Sequence, residues 1–147
     1  MQAQADGTAV FGCGSFWEAE DLFIRLHGVL ETEVGYAGGT TSRPTFHDIG
    51  DHAEVVHIMF NPQQLSYEEL LVTFWKLHDP TVTDDARYDS LILYTTEEQR
   101  QLAEESRDRW QEEHLGHEAT TRIEPLHRFY PAEPYHQHYL AKLRGEQ

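Results

Sequence analysis

Residues 8–12, TAVFG, form a short apolar run closed by glycine, and immediately after it the spacing of apolar residues changes from that of a strand to that of a helix. Phe16, Ala19, Leu22, Phe23 and Leu26 recur at intervals of three and four, while Glu18, Glu20, Asp21 and Arg25 fall between them. This predicts a helix over 15–26 with the acids on its outer face and Gly28 as its stop. In 29–36, VLETEVGY, Leu30, Thr32, Val34 and Tyr36 alternate with Glu31 and Glu33, the pattern of a half-solvated strand. A glycine-rich loop leads to a second strand, EVVHIMF (54–60), closed by Pro62. Ser66 and Glu69 then have the spacing of a capping box for a helix over 66–80 that turns Leu70, Leu71, Phe74 and Leu77 inward and stops at Asp79-Pro80. A strand at 89–95, a long helix at 96–114, a strand at 119–126 and a short terminal helix complete the series. The order β-α-β-β-α-β-α-β is that of a ferredoxin-like two-layer α+β sandwich, with helices over one face of a mixed sheet and a C-terminal extension. One domain over 1–147 is expected, since no linker or repeat divides the chain and this length can bury its own core.

Charge and cysteine usage exclude several classes of function. Eleven Lys and Arg against 26 Asp and Glu leave a formal charge of −15, which repels phosphate backbones and anionic lipid. Nucleic acid and membrane are therefore not expected partners. The single cysteine, Cys13, allows neither an internal disulfide nor a Cys-x-x-Cys zinc or dithiol centre. No apolar run approaches a membrane span, and MQAQADGT has no basic start or apolar core of a secretory leader, so a cytoplasmic location is the expectation. The ten histidines, His136-x-His138 among them, are assigned to packing and loop ordering rather than to a metal.

Ser15 has two readings. Ser15-Phe16-Trp17-Glu18 fits a capping box, worth about 1 kcal/mol and no chemistry. A phosphate loop does not fit, because Trp17 stands where the third glycine would be and three acids follow; nor does a nucleophile elbow, which needs x-Gly after the serine. Two bulky aromatics directly after a glycine turn are the unusual feature. Phe16 and Trp17 at the start of a helix would line an apolar pocket facing a polarised helix end, suited to a small apolar group attached to a polar oxygen.

Six further segments fall in one order: GSFWEAE (14–20), GYAGG (35–39), PTF (44–46), DHAEVVHIMFNP (51–62), LSYEELLVTFWKLHDPT (65–81) and FYPAEPYHQHYL (129–140). In order and approximate spacing, over residues 8 to about 143, they resemble the peptide methionine sulfoxide reductase A family. The resemblance implies a catalytic set of Ser15, in the place of the family's nucleophilic cysteine, Glu54 as the acid that protonates the departing oxygen, and Tyr88. It implies a methyl-binding pocket of Phe16 and Trp17, with Phe46 as a further substrate-binding position, and leaves Cys13, Asp85 and His52 as further candidates. Phe46 lacks the hydroxyl of the family's usual tyrosine. The segment VTDDARYDSLILY is shortened, so that only Asp84 or Asp85 loosely matches the family's aspartate and Asp89 replaces its arginine.

In that family a thiolate attacks the sulfoxide sulfur, methionine leaves, and the enzyme retains a sulfenic acid that thioredoxin, glutaredoxin or a small thiol reduces. The resemblance implies methionine S-sulfoxide, free or in proteins, as substrate, an external thiol as partner, a monomer, and neither metal nor organic cofactor. Serine cannot serve as that nucleophile: its hydroxyl ionises far above neutral pH and cannot store the oxidising equivalents. This chain is expected to bind without reducing, unless Cys13, two residues earlier, supplies a thiol; packing under the glycine turn is the expected fate of Cys13.

Overall fold

The computed structural model describes residues 7–82 and 85–146. Among the described residues there are six strands, β1 (Gly7–Cys13), β2 (Val29–Ala37), β3 (Ala53–Phe60), β4 (Ser90–Tyr94), β5 (Arg122–Pro125) and β6 (Tyr130–Pro131), and four helices, α1 (Phe16–Phe23), α2 (Tyr67–Leu77), α3 (Glu97–Glu113) and α4 (Tyr139–Leu143), in the chain order β-α-β-β-α-β-α-β-β-α. The sheet order is β5-β4-β1-β3-β2-β6. Its central four strands pair antiparallel in the ferredoxin-like order, and β5 adds parallel to β4, which makes the sheet mixed as expected.

Strand alternation assigns the two faces. Ala9, Phe11 and Cys13 of β1, Val34 and Tyr36 of β2, and Val56, Ile58 and Phe60 of β3 join Phe16, Phe23, Leu70, Leu71 and Phe74 in the main core beneath the helices. Val10, Ala53, Val55, Leu91 and Leu93 form a smaller cluster on the other face, covered by Leu126 and Phe129 between β5 and β6. Glu54 alternates with Val55, and Tyr36 lies opposite it across the β2–β3 pair. Both side chains therefore lie on the helix face. Gly35 is required where β6 joins the edge: a Cβ there would run into the Tyr130 carbonyl.

Several boundaries depart from the sequence expectation. α1 ends at Phe23 rather than Leu26, because Arg25 and Leu26 close tighter three-residue turns onto Leu22 and Phe23. Its buried stripe is Phe16, Ala19, Glu20 and Phe23, so Glu20 is inside and Leu22 is 46% exposed. Buried Glu20 accepts from the Thr32 hydroxyl at 2.8 Å and the His138 N–H at 2.7 Å, the pairing an interior carboxylate requires. Leu30 is 54% exposed, since a register shift between Val29 and Glu31 turns it outward. The last predicted strand shortens to 122–125 because Thr120 bonds the Pro80 carbonyl instead of a neighbouring strand. The capping box of α2 forms as predicted, with both reciprocal bonds.

Candidate active site

β1 ends in a turn at Gly14, whose φ of +92 admits glycine readily and other residues only with strain. The turn delivers Ser15 to the N-cap position of α1, but its hydroxyl makes no capping bond and Glu18 is exposed, so the predicted capping box does not form. A side chain from the sheet takes its place. The Phe16 N–H, one of the helix's free donors, points at Glu54 and donates to Oε1 at 3.1 Å. Among the described residues the Ser15 hydroxyl makes no hydrogen bond, and the next residue, Phe16, meets a carboxyl group brought from 38 residues away.

Glu54 is 2% exposed. Burial pushes its carboxyl up to about 6, against the Phe16 N–H and the Arg87 guanidinium, which favour the charged form; the Asp85 carboxylate adds to the rise. Arg87 Nη1 lies 3.3 Å from Oε2, yet that oxygen has no hydrogen bond among the described residues. The acid is thus poised near neutrality with one oxygen unspent, a condition suited to proton transfer.

Aromatic rings wall the space beside it. Trp17 stacks on Phe46 at 5.9 Å with rings 12° apart, and on Tyr139 at 3.9 Å. His136 lies 4.3 Å from Phe46 and its Nδ1 accepts from the Trp17 indole N–H at 3.1 Å. Phe16, fully buried, packs at 5.8 Å against Tyr36. Much of this wall comes from the C-terminal segment, tied down at four points. Glu133 accepts from the Tyr36 hydroxyl at 2.7 Å and the Phe46 N–H at 3.1 Å. Gln137 bonds both backbone groups of Val34, His138 bonds Glu20, and Arg144 pairs with Asp21. Burial alone would push the Glu133 carboxyl up; its own N–H, Tyr36 and Phe46 outweigh this and hold it low. The Tyr36 hydroxyl is pushed far up, first by burial and then by Glu133, and stays protonated.

Of the residues singled out in the sequence, Ser15, Phe16, Trp17, Phe46 and Glu54 come together. Tyr88 is 44% exposed, and among the described residues no hydrogen bond reaches its hydroxyl or ties it to Glu54. The reason is local. Ala86–Tyr88 form a single 3-10 turn, in which neighbours diverge by about a third of a revolution, so Arg87 faces Glu54 and Tyr88 faces out. Asp85 is exposed and caps that turn through the Arg87 N–H; Asp84 lies outside the described residues. Asp89 pairs with Arg122 at 3.5 Å. His52, buried, holds the 39–41 loop, accepting from the Gly39 N–H and donating to the Thr41 carbonyl. Cys13 is 6% exposed, and burial pushes its thiol up to about 12, a state in which it neither ionises nor attacks near neutrality. Sequence reasoning missed Arg87, Tyr36 and Glu133. It gave His136 to packing alone, where the structure also bonds it to Trp17. The motifs GYAGG and FYPAEPYHQ contain Tyr36, Glu133 and His136, but nothing in the local pattern joins them to Trp17.

Among the described residues no group of three or more His, Cys, Asp or Glu is placed to hold a metal, and no helix is long and apolar enough to cross a membrane. Residues 7–147 match the family described as Peptide methionine sulfoxide reductase. A Drosophila melanogaster peptide methionine sulfoxide reductase is 46% identical over 140 residues, covering 94% of this chain and 56% of that protein. The chain therefore spans just over half the length of the fly protein. A Methanococcus maripaludis peptide methionine sulfoxide reductase is 43% identical over 145 residues, covering 92% of each. The Saccharomyces cerevisiae Mxr1 structure in reduced form superposes with a TM-score of 0.88 at 28% identity, over 97% of this chain and 88% of that one.

Proposed function

This chain belongs to the peptide methionine sulfoxide reductase family, and on that premise we propose that it binds methionine S-sulfoxide without reducing it. The convergence of an uncommitted Ser15, the Phe16–Trp17 pair and buried Glu54 at one helix start carries the reading. The thioether methyl would lie against Trp17 and Phe46, and the sulfoxide oxygen would point to Glu54. What is missing is a nucleophile. A thiol at position 15 would form a bond to sulfur as Glu54 gives its proton to the oxygen; the S–O bond would break with the hydroxyl passing to the cysteine sulfur, the new S–S bond would break as the thioether leaves, and the sulfenic acid would stay on the enzyme. Two external thiols would then return it to the thiol, releasing water and a disulfide. Serine forms no such intermediate, so thioredoxin or any other reductant has nothing to reduce.

Cys13 is a poor replacement, buried and un-ionised on β1. The test is a pair of measurements on N-acetyl-methionine (S)-sulfoxide. The wild-type chain binds it in preference to the thioether and gives no product with dithiothreitol, whereas Ser15→Cys turns it over. Thiol-dependent product from the wild type, abolished by Cys13→Ala, would transfer the nucleophile's role to Cys13.

A further inference from the structure

Among the described residues several of the hydroxyls and N–H groups that could donate to a sulfoxide oxygen beside Glu54 are committed elsewhere, absent or exposed. Phe46 has no hydroxyl, Tyr36 donates to Glu133, the Trp17 indole donates to His136, and Tyr88 faces outward. Ser15, the His136 Nε2–H in the aromatic wall and Arg87 remain, and of these only Arg87 carries a permanent charge next to Glu54. The Arg87 guanidinium lies 4.6 Å over the Phe46 ring, which forms one wall of the aromatic pocket, and 3.3 Å from Glu54 Oε2. An Nη2 proton is given to the Phe46 carbonyl, which anchors the plane of the fork. Its Nη1 faces Glu54 without forming an aligned hydrogen bond, and no bond among the described residues uses its Nε–H. A guanidinium carries five N–H donors, so most of them are free to meet a strong acceptor at the pocket's edge.

We propose that Arg87 binds the sulfoxide oxygen in this chain, replacing the hydroxyl that Phe46 lacks, so that recognition does not require a proton on Glu54. The proposal rests on the site being a methionine sulfoxide pocket. It follows from charge: an ionised Glu54 is acceptor-only and would repel the negative end of an S–O dipole, while an adjacent guanidinium donates to that oxygen and offsets the carboxylate. A site built this way suits binding more than reduction. The cation holds the oxygen in place but has no proton to release at neutral pH.

Binding of N-acetyl-methionine (S)-sulfoxide and of its thioether, measured by calorimetry at pH 5 and pH 8 on wild type, Arg87→Gln and Arg87→Lys, tests the idea. The charged groups acting on Glu54 among the described residues are Arg87 from the 86–88 turn and Asp85 that caps it, with Tyr36 opposite on β2; Glu133, His136 and His47 lie around the Phe46 wall, and Cys13 ends the neighbouring strand β1. Tyr36 and Cys13 stay neutral at both pH values. Thioether affinity, which involves no oxygen, reports any change at His136. At pH 8, Arg87→Gln should lose about tenfold to a hundredfold in sulfoxide affinity, the scale of a hydrogen bond to a charged group, and much less in thioether affinity, where only its packing on Phe46 is lost. At pH 5 most of the loss should be recovered, because protonated Glu54 then donates. Arg87→Lys should keep the sulfoxide preference at both pH values, more weakly than wild type, and serves if the glutamine variant does not fold. Wild-type or tighter sulfoxide binding by folded Arg87→Gln at pH 8 would overturn the role of Arg87. A wild-type protein that does not prefer sulfoxide over thioether would overturn the pocket itself.

Discussion

Restoring a thiol with Ser15→Cys creates a background in which Glu54 can be tested as an acid, and the structure specifies how the effect of Glu54→Gln should vary with pH. The Glu54 carboxyl is held at about 6, so above that pH its protonated fraction falls tenfold per unit. The hydronium concentration, the alternative proton source once an amide replaces the acid, falls at the same rate. The ratio of kcat/KM between Ser15→Cys and Ser15→Cys/Glu54→Gln should therefore be flat above about pH 6, at roughly 10² to 10⁴ for a positioned general acid. Below pH 6 the carboxyl is saturated while hydronium keeps rising, so the ratio should shrink tenfold per unit. Ionisation of the introduced thiol affects both variants and largely cancels. The assay is dithiothreitol-dependent formation of N-acetyl-methionine between pH 4.5 and 8, with circular dichroism confirming the fold at each point. A ratio near one throughout, or one that grows on acidification, would refute Glu54 as the proton donor.

Three further outcomes follow from burial and pairing. Iodoacetamide should label Cys13 slowly in the native protein at pH 6 to 9 and quickly after unfolding, as expected of a thiol that burial pushes up to about 12; rapid native labelling blocked by a methyl sulfoxide would reverse its assignment. Glu20→Leu should lower stability by roughly 2–6 kcal/mol, since it strands the Thr32 hydroxyl and the His138 N–H at about 1–3 kcal/mol each, and a melt within a degree or two of wild type would count against the buried pairing. Glu54 has a folded pKa above its unfolded value of 4.5, so the neutral form is favoured by folding and stability falls as pH rises from about 4.5 to 6. Glu54→Gln should then raise Tm at pH 7.5 by several degrees, corresponding to about 2 kcal/mol, and leave it nearly unchanged at pH 4.

The core strands and α2 were legible because their signals are local. TAVFG and EVVHIMF are apolar runs bounded by breakers, and Ser66 and Glu69 satisfy each other three residues apart. Glu20 was misassigned because a carboxylate is ordinarily a surface residue; the 16-19-20-23 spacing shows the buried stripe only to a reader willing to place an acid in it. Glu133 and His136 meet Tyr36, Phe46 and Trp17 across about 90 to 120 residues, and no periodicity reports a contact of that range. Arg87 was hidden by adjacency. Tyr88 drew the match, and which of two neighbours in a three-residue turn faces the sheet depends on the turn's rotation, which the sequence does not display.

Because the scaffold holds the pocket independently of the nucleophile, the pocket can persist without it. None of the bonds that position the wall involves the Ser15 side chain: Glu54 is tied to the Phe16 backbone, Trp17 to His136, Phe46 to Glu133, and the C-terminal segment to Val34 and Glu20. Ser15 does not cap its helix, so an oxygen or a sulfur there changes little in the folded energy. Chemistry and fold are separable at this one atom. Glu54 is the opposite case, since the burial that poises it near neutrality costs stability when it ionises. Yet the same carboxyl satisfies the Phe16 N–H at the start of α1, so its place in the sheet serves the helix as well as the pocket.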